Sequence, residues 1–172
     1  MANGMVLLTG RDNITPSLQA LMAKAKNPEP ILRAMGAKIE AMARQSFKDA
    51  SVRPMPWDAR KSGGPWPLLR KSGHLADSIH ALPPSGNSVR IISSESYALI
   101  HQFGGHTRPH RIVPKHGKAL FWPGARHPVK AVNHPGSNIP ARPFMPVLPN
   151  GQFTPQALDA LSKLIMRVMG RM

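Results

Sequence analysis

The chain contains no cysteine. Disulfides and thiolate metal sites are therefore excluded, and a reducing cytoplasm is compatible with the sequence. Acidic residues are scarce: Asp and Glu number 8 against 23 Lys and Arg. Asp12, Glu29, Glu40, Asp49, Asp58, Asp77, Glu95 and Asp159 stand apart and form no local pair, which leaves carboxylate-pair catalysis without support. Aromatic residues are few, at 5%, so the core is modest. No apolar run approaches the roughly 20 residues that a membrane-spanning helix needs. Met5-Val6-Leu7-Leu8 is too short for a signal-peptide core and has no basic residue before it. There is no Gly-x-Ser-x-Gly elbow and no Gly-x-x-x-x-Gly-Lys phosphate loop. The expectation is a protein without enzymatic activity, cofactor or membrane contact.

What is present points elsewhere. The 172 residues, 41% of them apolar, suffice for one domain with a true core. Nineteen prolines stiffen long connections. The formal net charge of +15 implies a polyanionic neighbour, either nucleic acid or an acidic protein surface.

Hydrophobic spacing predicts the elements. Thr15-Pro16 reads as a helix start, and Asn27-Pro28-Glu29 repeats it. Ile31, Met35, Ile39 and Met42 then form a stripe at three-to-four spacing, so residues 15–48 are expected to be helical. Residues 49–71 form a Pro/Gly/Trp loop, with Trp57 and Trp66 either anchoring it or packing locally. Within 72–103 a hairpin is expected around Pro83 to Asn87, followed by a short helix closed by Gly104. Residues 104–138 are a basic extended loop whose islands at Arg111–Val113, Ala119–Trp122 and Val129–Val132 suit a β-ribbon. Residues 139–149 form a Pro-rich arm. Thr154-Pro155 caps a last helix over 154–170, its seam made by Leu158, Leu161, Ile165 and Val168.

The same spacing frames the candidate chemistry. His106 and His110 are four apart, as zinc-binding helices require, but Pro109 lies between them. No carboxylate lies between Ser96 and Leu158 to orient a ligand histidine. That acid-free stretch does carry Arg108, Arg111, Lys115, Lys118, Arg126 and Lys130, which suit DNA phosphates or an acidic protein equally well. In Pro140-Ala141-Arg142-Pro143-Phe144-Met145-Pro146 the prolines favour a preorganised extended path. Phe144 and Arg142 next to each other have the composition of an interface hot spot, or of a core strand; a mixture fits best, with Phe144 buried and Arg142 holding a neighbouring element.

Several landmarks resemble the phage virion-morphogenesis family, the tail-completion and head–tail joining proteins of long-tailed phages. They are Trp66-Pro67-Leu68, Ser72-Gly73-x-Leu75-x-x-Ser78-Ile79, Tyr97-Ala98-x-Ile100-His101-Gln102-Phe103-Gly104-Gly105 and Ile139-Pro140-Ala141-Arg142-Pro143-Phe144. The resemblance implies an α+β fold, with N-terminal helices and a C-terminal helix packed on a small antiparallel sheet. It implies a homo-oligomeric ring, a hexamer, that completes or terminates the tail at the neck. Its partners would be further copies, the tail tube protein, a connector or stopper protein and genomic DNA in the lumen. Such a protein is assembled in the host cytoplasm and resides in the virion. Tyr97, His101, Phe103, Gly104, Gly105, Pro140, Arg142, Pro143 and Phe144 are the expected subunit or partner interface. A non-specific nucleic-acid-binding protein and, more distantly, a histidine-dependent metallohydrolase are the alternatives.

Overall fold

The architecture is that of a computed structural model, which describes Gln19 and residues 27–60 and 64–169. The helix expected from Thr15 lies outside the described residues, Gln19 apart. Helix α1 spans Glu29–Ser46. Its start is fixed by Pro28 and Pro30 and by Asn27, whose Oδ1 accepts the Glu29 N–H at 3.0 Å. Ile31, Met35, Ile39 and Ala43 recur every turn on one buried face, while Glu29 and Arg33 pair on the solvent side.

The other elements pack around that face. A 3₁₀ turn, Ala50–Val52, follows α1, and the short helix α2 covers His74–Asp77. Strands β1 (Ile79–Ala81) and β2 (Ile91–Ser93) form the expected antiparallel hairpin, in the register Ile79↔Ser93 and Ala81↔Ile91. Helix α3, Ala98–Phe103, ends at Gly104. The last helix, α4, covers Pro155–Met169. Thr154 caps it: its Oγ1 accepts the Ala157 N–H at 3.3 Å and its carbonyl accepts the Leu158 N–H at 2.9 Å. Helix α4 packs on α1, burying Ala157, Leu161 and Ile165. Its apolar seam is therefore used within the body, turned toward Ala157, while Leu158 is only half-buried.

The core is one cluster joining α1, α4, β1 and the Pro-rich segment. At its centre Phe144 lies 5.2 Å from the Phe47 ring, and Trp57 meets Phe47 edge-on at 5.7 Å. The fold class is α+β, as the sequence predicts.

Candidate functional site

The landmarks Tyr97–Gly105 and Ile139–Phe144 meet beside Gly104, where a buried segment and an exposed ribbon adjoin.

Helix α3 inverts the usual pattern. Ala98 and Gln102 share its inward face and are buried, while Leu99 and Phe103 are 45% and 52% exposed. The reason is Gln102, whose Oε1 accepts the N–H groups of both Phe144 and Met145 at 3.0 Å. Further polar groups of that extended segment are satisfied one at a time. Arg142 N–H donates to the His101 carbonyl at 2.7 Å, and Trp57 Nε1–H donates to the Pro143 carbonyl at 2.8 Å. Ser46 Oγ lies 3.1 Å from the Phe144 carbonyl and 2.7 Å from that of Ala43. Thr154 N–H reaches the Pro146 carbonyl at 3.0 Å. A buried backbone must find such partners, and this segment finds them with no paired strand over Arg142–Met145. Arg142 in turn donates Nε to the Asp58 carbonyl at 2.9 Å and Nη2 to the Ala59 carbonyl at 3.2 Å. Residues 139–149, expected as an arm, thus lie across the body, and Arg142 to Val147 are all buried. Phe144 is 2% exposed and Arg142 holds a neighbouring element, the mixture expected from the sequence.

Gly104 makes the crossing possible. Its φ of +72° favours glycine, and a Cβ there would come within 2.9 Å of Ala141 N and 3.0 Å of the Ile139 carbonyl. The chain passes so close because the strands that leave and return to the body start at this point.

Those strands form the ribbon. β3 (Gly105–His106) pairs with β6 (Asn138–Ile139), and β4 (His110–Ile112) pairs with β5 (Val132–His134). Gly105↔Ile139 and Ile112↔Val132 keep one register across the gap between the two pairs. A further bridge, Leu120↔Val129, lies nearer the tip; residues 113–119 there face only residues 130–131, so the outgoing side bulges. His110 and His134 stack across the ribbon with ring centroids 5.2 Å apart. Arg108, Arg111, Lys115, Lys118, Arg126 and Lys130 are all exposed, and none pairs with an acid among the described residues. Phe121 and Trp122 are exposed at the tip.

The expected interface residues therefore divide. Tyr97, Phe103 and Gly105 are exposed, and His101, Gly104 and Pro140 are half-buried. Arg142, Pro143 and Phe144 are inside the chain's own body. Tyr97 lies edge-on to His101 at 5.9 Å. Burial, then the positive charge of Arg142, holds the His101 imidazole below its ordinary pKa of 6.5. His106 and His110 fall on separate strand pairs, and no group of three or more His, Cys, Asp or Glu side chains placed to hold a metal ion occurs among the described residues. No helix among those residues is long and apolar enough to cross a membrane. Sequence reasoning missed Gln102 and Ser46 as the residues that hold the segment. A signal for Gln102 existed: it lies four residues after Ala98, on the face opposite two large apolar side chains.

The model of the phage virion morphogenesis family matches residues 11–169, nearly the whole chain. No curated protein and no solved structure matches it.

Proposed function

The chain belongs to the phage virion morphogenesis family, and from that premise we propose that it is a ring-forming tail-completion or tail-terminator subunit at the head–tail junction. Its work is mechanical and no bond is made or broken. Subunits associate side by side, most simply as a hexamer. One face meets the tail tube protein, the other a connector or stopper protein, and genomic DNA threads the lumen.

One observation carries the ring. Among the described residues, apolar side chains are exposed at both ends of the ribbon, and a closed ring is built by repeating contact between two different patches. Leu99 and Phe103 stand out at the root of the ribbon, and Phe121, 67% exposed, stands out with Trp122 at its tip. An isolated two-stranded ribbon is marginal in water, so covering it is favourable. A neighbour that received the tip on its α3 face would bury both patches. The cations between root and tip would then line the ring surface that meets DNA or an acidic neighbour.

Electron microscopy of the purified protein and of the particle tests this reading. Rings with a central hole are expected, at the neck in the particle. A dispersed monomer in solution and no density at the neck would defeat it. The acid-free ribbon also supports a second reading, a non-specific nucleic-acid-binding protein acting in the cell. Steeply salt-dependent DNA affinity without association with the particle would favour it.

A further inference from the structure

Arg142 is 8% exposed, yet its guanidinium meets no carboxylate among the described residues. Nε and Nη2 are taken by neutral carbonyls, which leave the charge uncompensated, and Nη1 makes no hydrogen bond among those residues. A buried cation without a counter-ion is costly. Beside it lies the one buried side-chain polar atom with no hydrogen-bond partner among the described residues, His101 Nδ1. Both side chains line one cavity of about 300 Å³. Arg60 and Lys71 add two further cations to its lining, and Trp66, Tyr97 and Leu75 supply apolar wall; among the described residues no acid lines it, and Glu95 meets the Tyr97 hydroxyl. Lys71 lies 4.9 Å over the Trp66 ring, which keeps its ammonium at the cavity.

We propose that this cavity receives a carboxylate side chain from an acidic segment of a neighbouring protein. The carboxylate oxygens accept from Arg142 Nη1, and Arg60 and Lys71 add positive charge beside it. The aromatic walls take the apolar residue beside the acid. A charge-assisted pair with Arg is the strongest hydrogen bond available there.

The geometry favours a protein over nucleic acid. A recess of this volume is at the lower limit for a ligand site and admits one or two side chains of a peptide. Duplex phosphates lie on a convex backbone and suit the exposed ribbon instead. The charge favours a different protein over a second copy. This chain carries 8 acids against 23 Lys and Arg, and Glu29, Glu40 and Asp159 already pair with Arg33, Arg44 and Lys163. That the partner is a particle component rests on the function proposed above; the binding of carboxylate does not.

The test uses the full chain and two blocked peptides, acetyl-Glu-Phe-Glu-amide and acetyl-Gln-Phe-Gln-amide. Nuclear magnetic resonance at neutral pH follows the His101 imidazole and the Trp66 indole. The glutamate peptide is expected to shift both saturably, at least about tenfold more tightly than the glutamine peptide. Lys71→Gln, an exposed change that leaves the fold intact, is expected to weaken binding about threefold to tenfold. Equal response to both peptides, or shifts confined to the ribbon, would overturn the proposal. Rings at the neck without this response sink the cavity alone, whereas the response without rings sinks the proposed function alone.

Discussion

The segment from Arg142 to Val147 and the ribbon from Gly105 to Ile139 are neighbours in the chain, and both are stiffened by proline. They satisfy their backbones in opposite ways. The segment borrows its partners from Ser46, Trp57, His101 and Gln102, scattered over the body. The ribbon pairs with itself and leaves its cations and tip in solvent. The segment and the body therefore stand or fall together, while the ribbon can change partners without unfolding anything else. Stiffness serves internal locking in one place and reach in the other.

The largest expected effect comes from the centre of the segment. Phe144→Ala removes a ring packed on Phe47 and should cost about 3–5 kcal/mol in urea unfolding. If the variant kept wild-type stability but failed to assemble, the contrast would break, because the segment would then be a joint between subunits. Gln102→Leu comes next. It leaves the Phe144 and Met145 N–H groups buried without an acceptor, at about 2–4 kcal/mol. A negligible loss in the same unfolding measurement would mean that the segment is held by packing alone.

The ribbon predicts the reverse. Replacing Lys118, Arg126 and Lys130 with glutamine should change stability by less than about 0.5 kcal/mol. The same change should flatten the salt dependence of duplex DNA binding, by up to about one unit of log–log slope per lost phosphate contact. An unchanged slope in a salt titration would remove these side chains from any DNA contact.

The smallest effect is that of pH. His101 has a folded-state pKa below 6.5, so the unfolded chain binds the proton more readily. Its contribution to stability is fully present above pH 6.5 and is lost as pH falls from there toward the folded-state value. His101→Gln should make unfolding less sensitive to pH in that window than it is for the wild type. Equal pH dependence in both proteins would show that His101 is not held neutral.

Much of this layout was legible in the residues. The stripe from Ile31 to Ile39, the turn at Pro83 to Asn87 and the Thr154-Pro155 cap are local signals, and local physics decides them. The islands at Arg111, Ala119 and Val129 pointed to the ribbon for the same reason. The environment of the Pro-rich segment was not fixed locally. Proline dictates an extended path, but whether that path is exposed depends on acceptors and donors distant in the chain, such as Ser46 and Trp57. The α3 face was not fixed locally either: Gln102 takes the inward side because two backbone N–H groups wait there, and Leu99 and Phe103 stay exposed. The cavity beneath Tyr97 and His101 needs Arg60, Lys71 and Arg142 together, and no spacing in the chain announces that.

Hydrogen exchange, compared between the free and the assembled protein, tests the contrast most directly. Amides of residues 110–112 and 132–134 should gain protection on assembly, while those of the segment, at Arg142, Phe144 and Met145, should be equally protected in both states. Protection gained in the segment, with the ribbon unchanged, would contradict the assignment of locking to one and reach to the other.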